Sequence, residues 1–191
     1  MRNFEENDLP AFAKFLEPDG FTDACWTTFY QPKLDHFRKN CFLVFEEKTG
    51  KLVGTCVYYK AYGKEYGGEF PTIQCLAVDE NHRRKGIGKA LCAKCMAQVS
   101  KKAYPIYLTT HVKSAPAIGM YLKDFNFHFV THDFDGPNKK RPWGSNLSLG
   151  KATIQESLKV INPEALKKWQ EREIASPLFT QILEKCDKTE L

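Results

Sequence analysis

Residues 75–91 read CLAVDENHRRKGIGKAL, and this stretch is the most informative part of the sequence. Its apolar start, ending at Val78, is typical of a buried strand, and the change of pattern after Gly86 predicts an amphipathic helix. The first N–H groups of a helix have no partner within the helix, and the helix dipole favours negative charge there. Glycine at positions 86 and 88 lets a ligand's phosphates approach the backbone closely. The stretch therefore predicts an anion site whose counter-charge comes from four basic residues: Arg83, Arg84, Lys85 and Lys89.

The spacing of the glycines distinguishes this loop from two common phosphate loops. A Walker loop requires GxxxxGK[ST], which is absent, and a dinucleotide fingerprint requires a third glycine where Leu91 stands. The pattern (Gln/Arg)-x-x-Gly-x-(Gly/Ala) does match, from Arg83 to Gly88. With an apolar strand directly before it, the loop resembles the acetyl-CoA pyrophosphate loop of the GNAT superfamily of N-acetyltransferases.

A second stretch supports the same resemblance. In the family, the next strand is followed by Asn-x-x-Ala-x-x-x-Tyr and then by a segment ending in Gly-Phe. Here a predicted strand over 106–110 is followed by SAPAIGMYLKDFNF at 114–127, in which Ala117, Tyr121 and Phe127 align with that pattern. Ser114 stands where Asn is usual, and Asn126 stands where Gly is usual.

The order of predicted elements agrees with this family. Strands over 41–45 and 52–59 are joined by a turn containing Gly50, and a further strand over 72–78 precedes the basic loop. The fold class is α/β (α+β mixed), and the resemblance implies a central, mostly antiparallel mixed sheet that splays at a bulge and is flanked by helices. Residues 1–150 would form the acetyltransferase domain. Capping patterns after residue 151 predict a C-terminal helical extension, 151–191, packed on that domain.

Length, charge and cysteine usage exclude several classes. With 191 residues, 42% of them hydrophobic, the chain can bury a core, and its net charge of +5 is too mild for an obligate nucleic-acid binder. The longest purely apolar run, 41–45, is too short to span a bilayer. Seven scattered cysteines favour reduced thiols in a cytoplasmic protein. The pair Cys92 and Cys95 lies inside a helical pattern, which favours helix packing over a metal or redox site.

The resemblance implies a cosubstrate site for acetyl-CoA and no metal. Pantetheine would pair with the strand backbone around Leu76, Ala77 and Val78, and a backbone N–H near Leu76 would stabilise the oxyanion. The pyrophosphate would lie on the loop and first helical turn formed by Arg83, Arg84, Lys85, Gly86, Ile87, Gly88 and Lys89. Ser114 and Ala117 would contact CoA from the second motif.

Tyr121 is the candidate general acid, because a phenol stays protonated at neutral pH and can deliver a proton to the departing thiolate.

The general base is less defined. Thr72 occupies a position where many relatives have a carboxylate, so the nearest carboxylate, Glu69, is the candidate, and His111 is the alternative. A water molecule could also relay the proton.

The implied reaction is acetyl transfer to a primary amine of a small molecule, peptide or protein by direct attack on the thioester. Aromatic residues in the family's variable parts suit an amine acceptor through cation–π contact: Trp26, Phe29, Tyr30, Tyr59, Tyr62, Tyr66 and Trp143. The alternative is a CoA-binding sensor or scaffold without turnover. We expect no nucleic acid or membrane partner, and the C-terminal helices would either cap the acceptor site or pair two chains as a homodimer.

Overall fold

The computed structural model describes residues 1–63, 68–98, 106–110, 114–125, 127, 163–164 and 167. The chain divides into two compact units, Met1–Thr109 and Thr110–Leu191. The predicted boundary at residue 150 and nearly all of the predicted C-terminal helices lie outside the described residues.

The first unit is built on one sheet with the order β1-β2-β3-β4-β5 among the described residues. The first four strands pair antiparallel, and β4 pairs with β5 in parallel, so the sheet is mixed as predicted. The strands are β1 (Arg2–Asn3), β2 (Cys41–Phe45), β3 (Leu52–Gly63), β4 (Gly68–Val78) and β5 (Tyr107–Leu108).

Helices precede β2 and follow β4. They are α1 (Leu9–Leu16), the single turn α2 (Asp23–Cys25), α3 (Leu34–Asn40), α4 (Ile87–Met96) and, in the second unit, α5 (Ala115–Asp124). Between α2 and α3 the chain passes through a π-helix, Trp26–Tyr30, and a 3-10 turn, Gln31–Lys33, which contains Pro32. Proline cannot supply the N–H that a continuing helix needs, which explains the break before α3.

The two faces of β3 bury different partners because successive side chains of a strand point to opposite sides. Val57 and Tyr59 pack into an aromatic core with Phe4, Phe12 and Phe37 from the N-terminal segment, α1 and α3. The rings of Phe12 and Phe37 meet edge to face, with centroids 5.6 Å apart. This face therefore holds the helices that lie between β1 and β2 in the sequence.

The opposite face of β3 receives α4. The buried thiol of Cys95 donates to Cys56 Sγ at 3.2 Å, and Leu91 and Cys92 are also fully buried. The pair Cys92 and Cys95 thus serves helix packing, as the sequence predicts. Close approach of α4 depends on Gly54, where an added Cβ would lie 2.9 Å from Ile87 Cγ2 and 3.0 Å from Leu91 Cδ1.

A β-bulge interrupts the pairing of β3 with β4. Thr55 pairs with Ala77 and Val57 pairs with Gln74, so β4 contains one residue more than β3 between these pairs. Cys75 absorbs the difference with a φ of 51°, a left-handed conformation that is uncommon for a residue with a side chain. The bulge that the family resemblance implies is therefore present, and it lies just before Leu76.

Gly54→Ala should destabilise the protein by about 1–3 kcal/mol, because the new methyl group meets the β-branched Ile87 side chain in a packed interface. Gly88→Ala is the matched control, since its Cβ would lie 3.5 Å from Val78 Cγ2, an ordinary contact. We expect the control to change the free energy of unfolding by less than about 1 kcal/mol. Urea unfolding measures both, and equal destabilisation would contradict the close packing at Gly54.

Candidate functional site

The loop between β4 and α4 has two residues with positive φ. A 3-10 turn, Glu80–His82, leads to Arg84 with φ of 61° and Gly86 with φ of 81°, and Gly86 is the N-cap of α4. The first helical hydrogen bond runs from Ala90 N to Gly86 O at 2.9 Å. Amides that precede it, such as those of Ile87 and Gly88, point toward the N-terminal end of the helix, where they favour an anion.

Basic side chains surround this helix start. Arg83, Arg84, Lys85 and Lys89 are all exposed. Arg83 Nε donates to the carbonyl of Val78 at 3.3 Å, so this side chain folds back against the end of β4. The predicted loop residues thus lie between the end of β4 and the start of α4, in the first unit, and Arg83 contacts the end of β4.

The edge of β4 is paired only in part. In the described residues, the parallel ladder joins Thr72 to Tyr107 and Ile73 to Leu108, and it ends before Gln74. Beyond the bulge, Ala77 and Val78 pair with Thr55 and Gly54 of β3, and no strand in the described residues pairs with Leu76–Val78 on the other side. An extended ligand can add to such an edge as a further strand would.

Two successive side chains, Gln74 and Cys75, lie on the aromatic face of the sheet because of the bulge. The hydroxyl of Tyr30 donates to Gln74 Oε1 at 2.8 Å and lies 3.4 Å from Cys75 Sγ. Burial raises the pKa of the Cys75 thiol to about 11, and burial likewise raises the pKa of Tyr30. Both groups are therefore neutral at physiological pH.

A second tyrosine ties the π-helix to β3. The hydroxyl of Tyr59 donates to the carbonyl of Phe29 at 2.6 Å, and the Lys33 ammonium lies 5.4 Å from the centre of the Tyr59 ring. Phe29 itself is 54% exposed, which is high for a large apolar side chain. Within the π-helix, Phe29 thus faces solvent, whereas its neighbour Tyr30 is buried.

The predicted catalytic residues fall in different parts of the structure. Tyr121 lies in α5 of the second unit, 7% exposed, with its ring 5.7 Å from that of Phe127. The backbone of Glu69 pairs with Tyr62 in the β3–β4 hairpin, and His111 lies outside the described residues. The hydroxyl of Thr72 donates to the carbonyl of Tyr59 at 3.1 Å.

The second motif also lies in this second unit. Ser114 is the N-cap of α5, and Ala117 lies in its first turn. In the described residues, no group of three His, Cys, Asp or Glu side chains is placed to hold a metal ion. No helix in the described part of the chain is long and apolar enough to cross a membrane.

Comparison with known proteins decides the family. The sequence profile of the acetyltransferase (GNAT) family matches residues 6–127, about two thirds of the chain. The chain belongs to the GNAT family. Membership in the GNAT family implies acetyl transfer from acetyl-CoA. A comparison with curated protein sequences gave no match.

Solved structures of other acetyltransferases resemble this GNAT chain. An acetyltransferase from Trypanosoma brucei has 24% identity and a TM-score of 0.48, with 70% of this chain and 96% of that chain covered. Glucosamine-6-phosphate N-acetyltransferase from Arabidopsis thaliana has 19% identity and a TM-score of 0.46, with 70% and 97% covered.

Sequence reasoning missed two features of this GNAT site. The sequence indicates Tyr30 only as one of several aromatic residues, whereas the structure joins it to the bulge through Gln74 and Cys75. The sequence places His82 beside the basic loop without indicating a role, whereas in the structure both of its ring nitrogens contact carboxylates. The spacing of three residues between Asp79 and His82 is a sequence feature that indicates their contact. No sequence feature indicates the contact of His82 with Glu46, because the two residues are 36 positions apart.

Tyr30→Phe should lower the free energy of unfolding by about 1 kcal/mol, because the half-buried Gln74 oxygen loses its donor. Gln74→Met removes the other partner and should cost a similar amount. The double variant should be less destabilised than the sum of the two, with a coupling energy of about 1 kcal/mol. Urea unfolding of the four proteins gives this energy, and strict additivity would contradict the hydrogen bond.

Proposed function

We propose that this protein is an acetyl-CoA-dependent N-acetyltransferase that acetylates a primary amine of a small molecule, peptide or protein. The observation that carries the proposal is one continuous segment. A bulged strand, whose outer edge beyond Ile73 is paired with no strand in the described part of the chain, leads directly into a glycine-capped helix surrounded by exposed cations. Residues 1–150 would form the acetyltransferase domain, and residues 151–191 a helical extension packed on it.

The bulge supports a position for the thioester beside β4. Pantetheine would lie along β4 beyond Gln74, pairing with the backbone of Leu76, Ala77 and Val78 as an added strand does. A backbone N–H near Leu76 would then donate to the oxygen that becomes negative when the amine attacks. Because the bulge fixes this donor before the reaction, no reorganisation is needed at the transition state.

The helix start would hold the pyrophosphate of CoA. The amides of Ile87 and Gly88 and the dipole of α4 favour negative charge, and the exposed side chains of Arg84, Lys85 and Lys89 add positive charge. Arg83 would hold the loop against Val78. Ser114 and Ala117 would contact CoA from α5.

Proton transfers would involve Tyr121 and Glu69. Tyr121 would protonate the departing CoA thiolate, and Glu69, or a water molecule that it orders, would accept the proton of the attacking amine. The Cys75 thiol near the bulge has a pKa of about 11, so it stays protonated and is a poor nucleophile. This supports direct transfer to the amine rather than transfer through an acetyl-cysteine.

Release of CoA thiol, measured with acetyl-CoA and panels of primary amines and of peptides with free N-termini or lysines, tests the proposal. Saturable, amine-dependent release with a matching acetylated product is the expected result. Saturable binding of acetyl-CoA without transfer to any acceptor would favour the sensor or scaffold alternative. Absence of acetyl-CoA binding would contradict both functions.

Tyr121→Phe should lower kcat by about 10²-fold, because the leaving thiolate loses its proton donor. The Kd for acetyl-CoA should stay within about twofold, since the ring is retained. Rates at saturating acetyl-CoA and calorimetric Kd values separate the two quantities.

Tyr58→Phe is the control for removing a buried phenol, because Tyr58 is 4% exposed and has no proposed role in the reaction. Its kcat should match that of the parent protein. A Tyr121→Phe variant that turns over as fast as this control would rule out Tyr121 as the acid.

A further inference from the structure

The imidazole of His82 lies between two carboxylates. Its Nδ1 is 3.0 Å from Asp79 Oδ1, and its Nε2 is 3.0 Å from Glu46 Oε1. An ionised carboxylate only accepts hydrogen bonds, so both ring nitrogens must donate, and only the imidazolium can donate from both. The ring is 17% exposed, which limits competition from water.

The His82 ring joins the β2–β3 turn to the loop between β4 and α4. Glu46 follows β2 in the β2–β3 turn, where its other oxygen accepts from the Thr49 hydroxyl at 2.6 Å. Asp79 follows β4 and accepts from Lys51 Nζ at 2.8 Å. His82 therefore links the hairpin turn to the loop that starts α4.

The loop that His82 holds is the one with positive φ at Arg84 and Gly86. A residue with a side chain in that conformation costs about 1–2 kcal/mol, so contacts elsewhere in the loop must stabilise it. Asn81 N donates to Asp79 Oδ1 at 3.1 Å, and His82 N donates to the Asp79 carbonyl at 2.8 Å. The side chain and backbone of Asp79 thus fix the first half of the loop, and the His82 ring fixes Asp79.

We propose that protonated His82 is a positioning residue for CoA: by bridging Asp79 and Glu46 it holds the loop from Arg83 to Gly88 in the shape that receives the pyrophosphate. This inference rests on the proposed function. His82 would not contact the reacting atoms, so loss of the bridge should weaken CoA binding and leave the chemical step at saturation unchanged.

The charges around His82 set the direction of its titration. Hydrogen bonds to Asp79 and then to Glu46 raise the pKa of His82, while nearby Lys85 opposes the shift. The pKa of Asp79 is held below its usual range by His82 and then by Lys51, and that of Glu46 by the Thr49 hydroxyl and then by His82. Glu80 adds a weaker attraction on Lys51.

The bridge is consequently complete below the ordinary histidine pKa of about 6.5 and is lost as the pH rises through the higher pKa of the folded protein. The affinity for CoA should fall as the pH rises through the raised pKa of His82. The phosphates of CoA gain negative charge as the pH rises, which acts in the opposite direction, so the informative quantity is the difference between the protein and its variants.

Calorimetric titration of the full chain with CoA at pH 6, 7, 8 and 9 tests the inference. Relative to a His82→Gln variant, the parent protein should bind about 3–10-fold more tightly at pH 6, and this advantage should shrink as the pH rises. The KM for acetyl-CoA should rise in the variant while kcat at saturation stays within about twofold.

Glu46→Gln provides a second variant that keeps His82, and it should also weaken CoA binding at pH 6. Glu47→Gln is its matched control, because Glu47 is the neighbouring carboxylate and is exposed. The control should bind like the parent protein. Thermal melting of each protein verifies that it is folded.

The outcomes are distinguishable. If the parent protein binds CoA, but His82→Gln and Glu46→Gln bind it equally well at every pH, the positioning role is wrong and the proposed function stands. If the parent protein binds no CoA at all, both are wrong. A fall in kcat at saturation, with KM unchanged, would also overturn the positioning role.

Discussion

The extra residue in β4 shapes the sheet where the candidate site begins. Between its pairs with Val57 and Thr55, β4 must fit one residue more than β3, and Cys75 does so at positive φ. The parallel ladder to β5 stops at Ile73, just before this point. Beyond it, no strand among the residues that the structure describes pairs with this edge of β4 up to the loop that begins α4. The distortion therefore lies where we propose that an extended ligand binds.

Contacts on both faces of the sheet hold this distortion in place. On the aromatic face, the Tyr30 hydroxyl reaches Gln74 and Cys75, which the bulge places side by side. On the other face, Gly54 lets α4 approach so closely that its first turn lies next to Val78. The start of α4 is thus fixed relative to Leu76–Val78 of β4. A ligand with its thioester beside β4 and its pyrophosphate at α4 requires this fixed distance.

The sequence predicted the parts of the fold that depend on local pattern. The apolar run ending at Val78, the basic turn and the helix beginning near Gly86 are confirmed, because strand, turn and helix signals there do not compete. It could not predict that β4 begins at Gly68 rather than Thr72, since pairing with β3 outweighs the polar and proline residues at positions 69 and 71. The contacts of Tyr30 with Gln74 and of His82 with Glu46 join residues 44 and 36 positions apart, and no periodicity reveals such pairs.

The proposed function requires that the segment from the bulge through the first turn of α4 binds CoA. Backbone amide chemical shifts of the ¹⁵N-labelled protein, followed during titration with CoA, measure this binding residue by residue. Saturable shifts that are largest for Leu76, Val78, Ile87 and Gly88 are the expected result, and pantetheine without the pyrophosphate should shift only the first two. Shifts confined to other parts of the chain, or none at all, would contradict it.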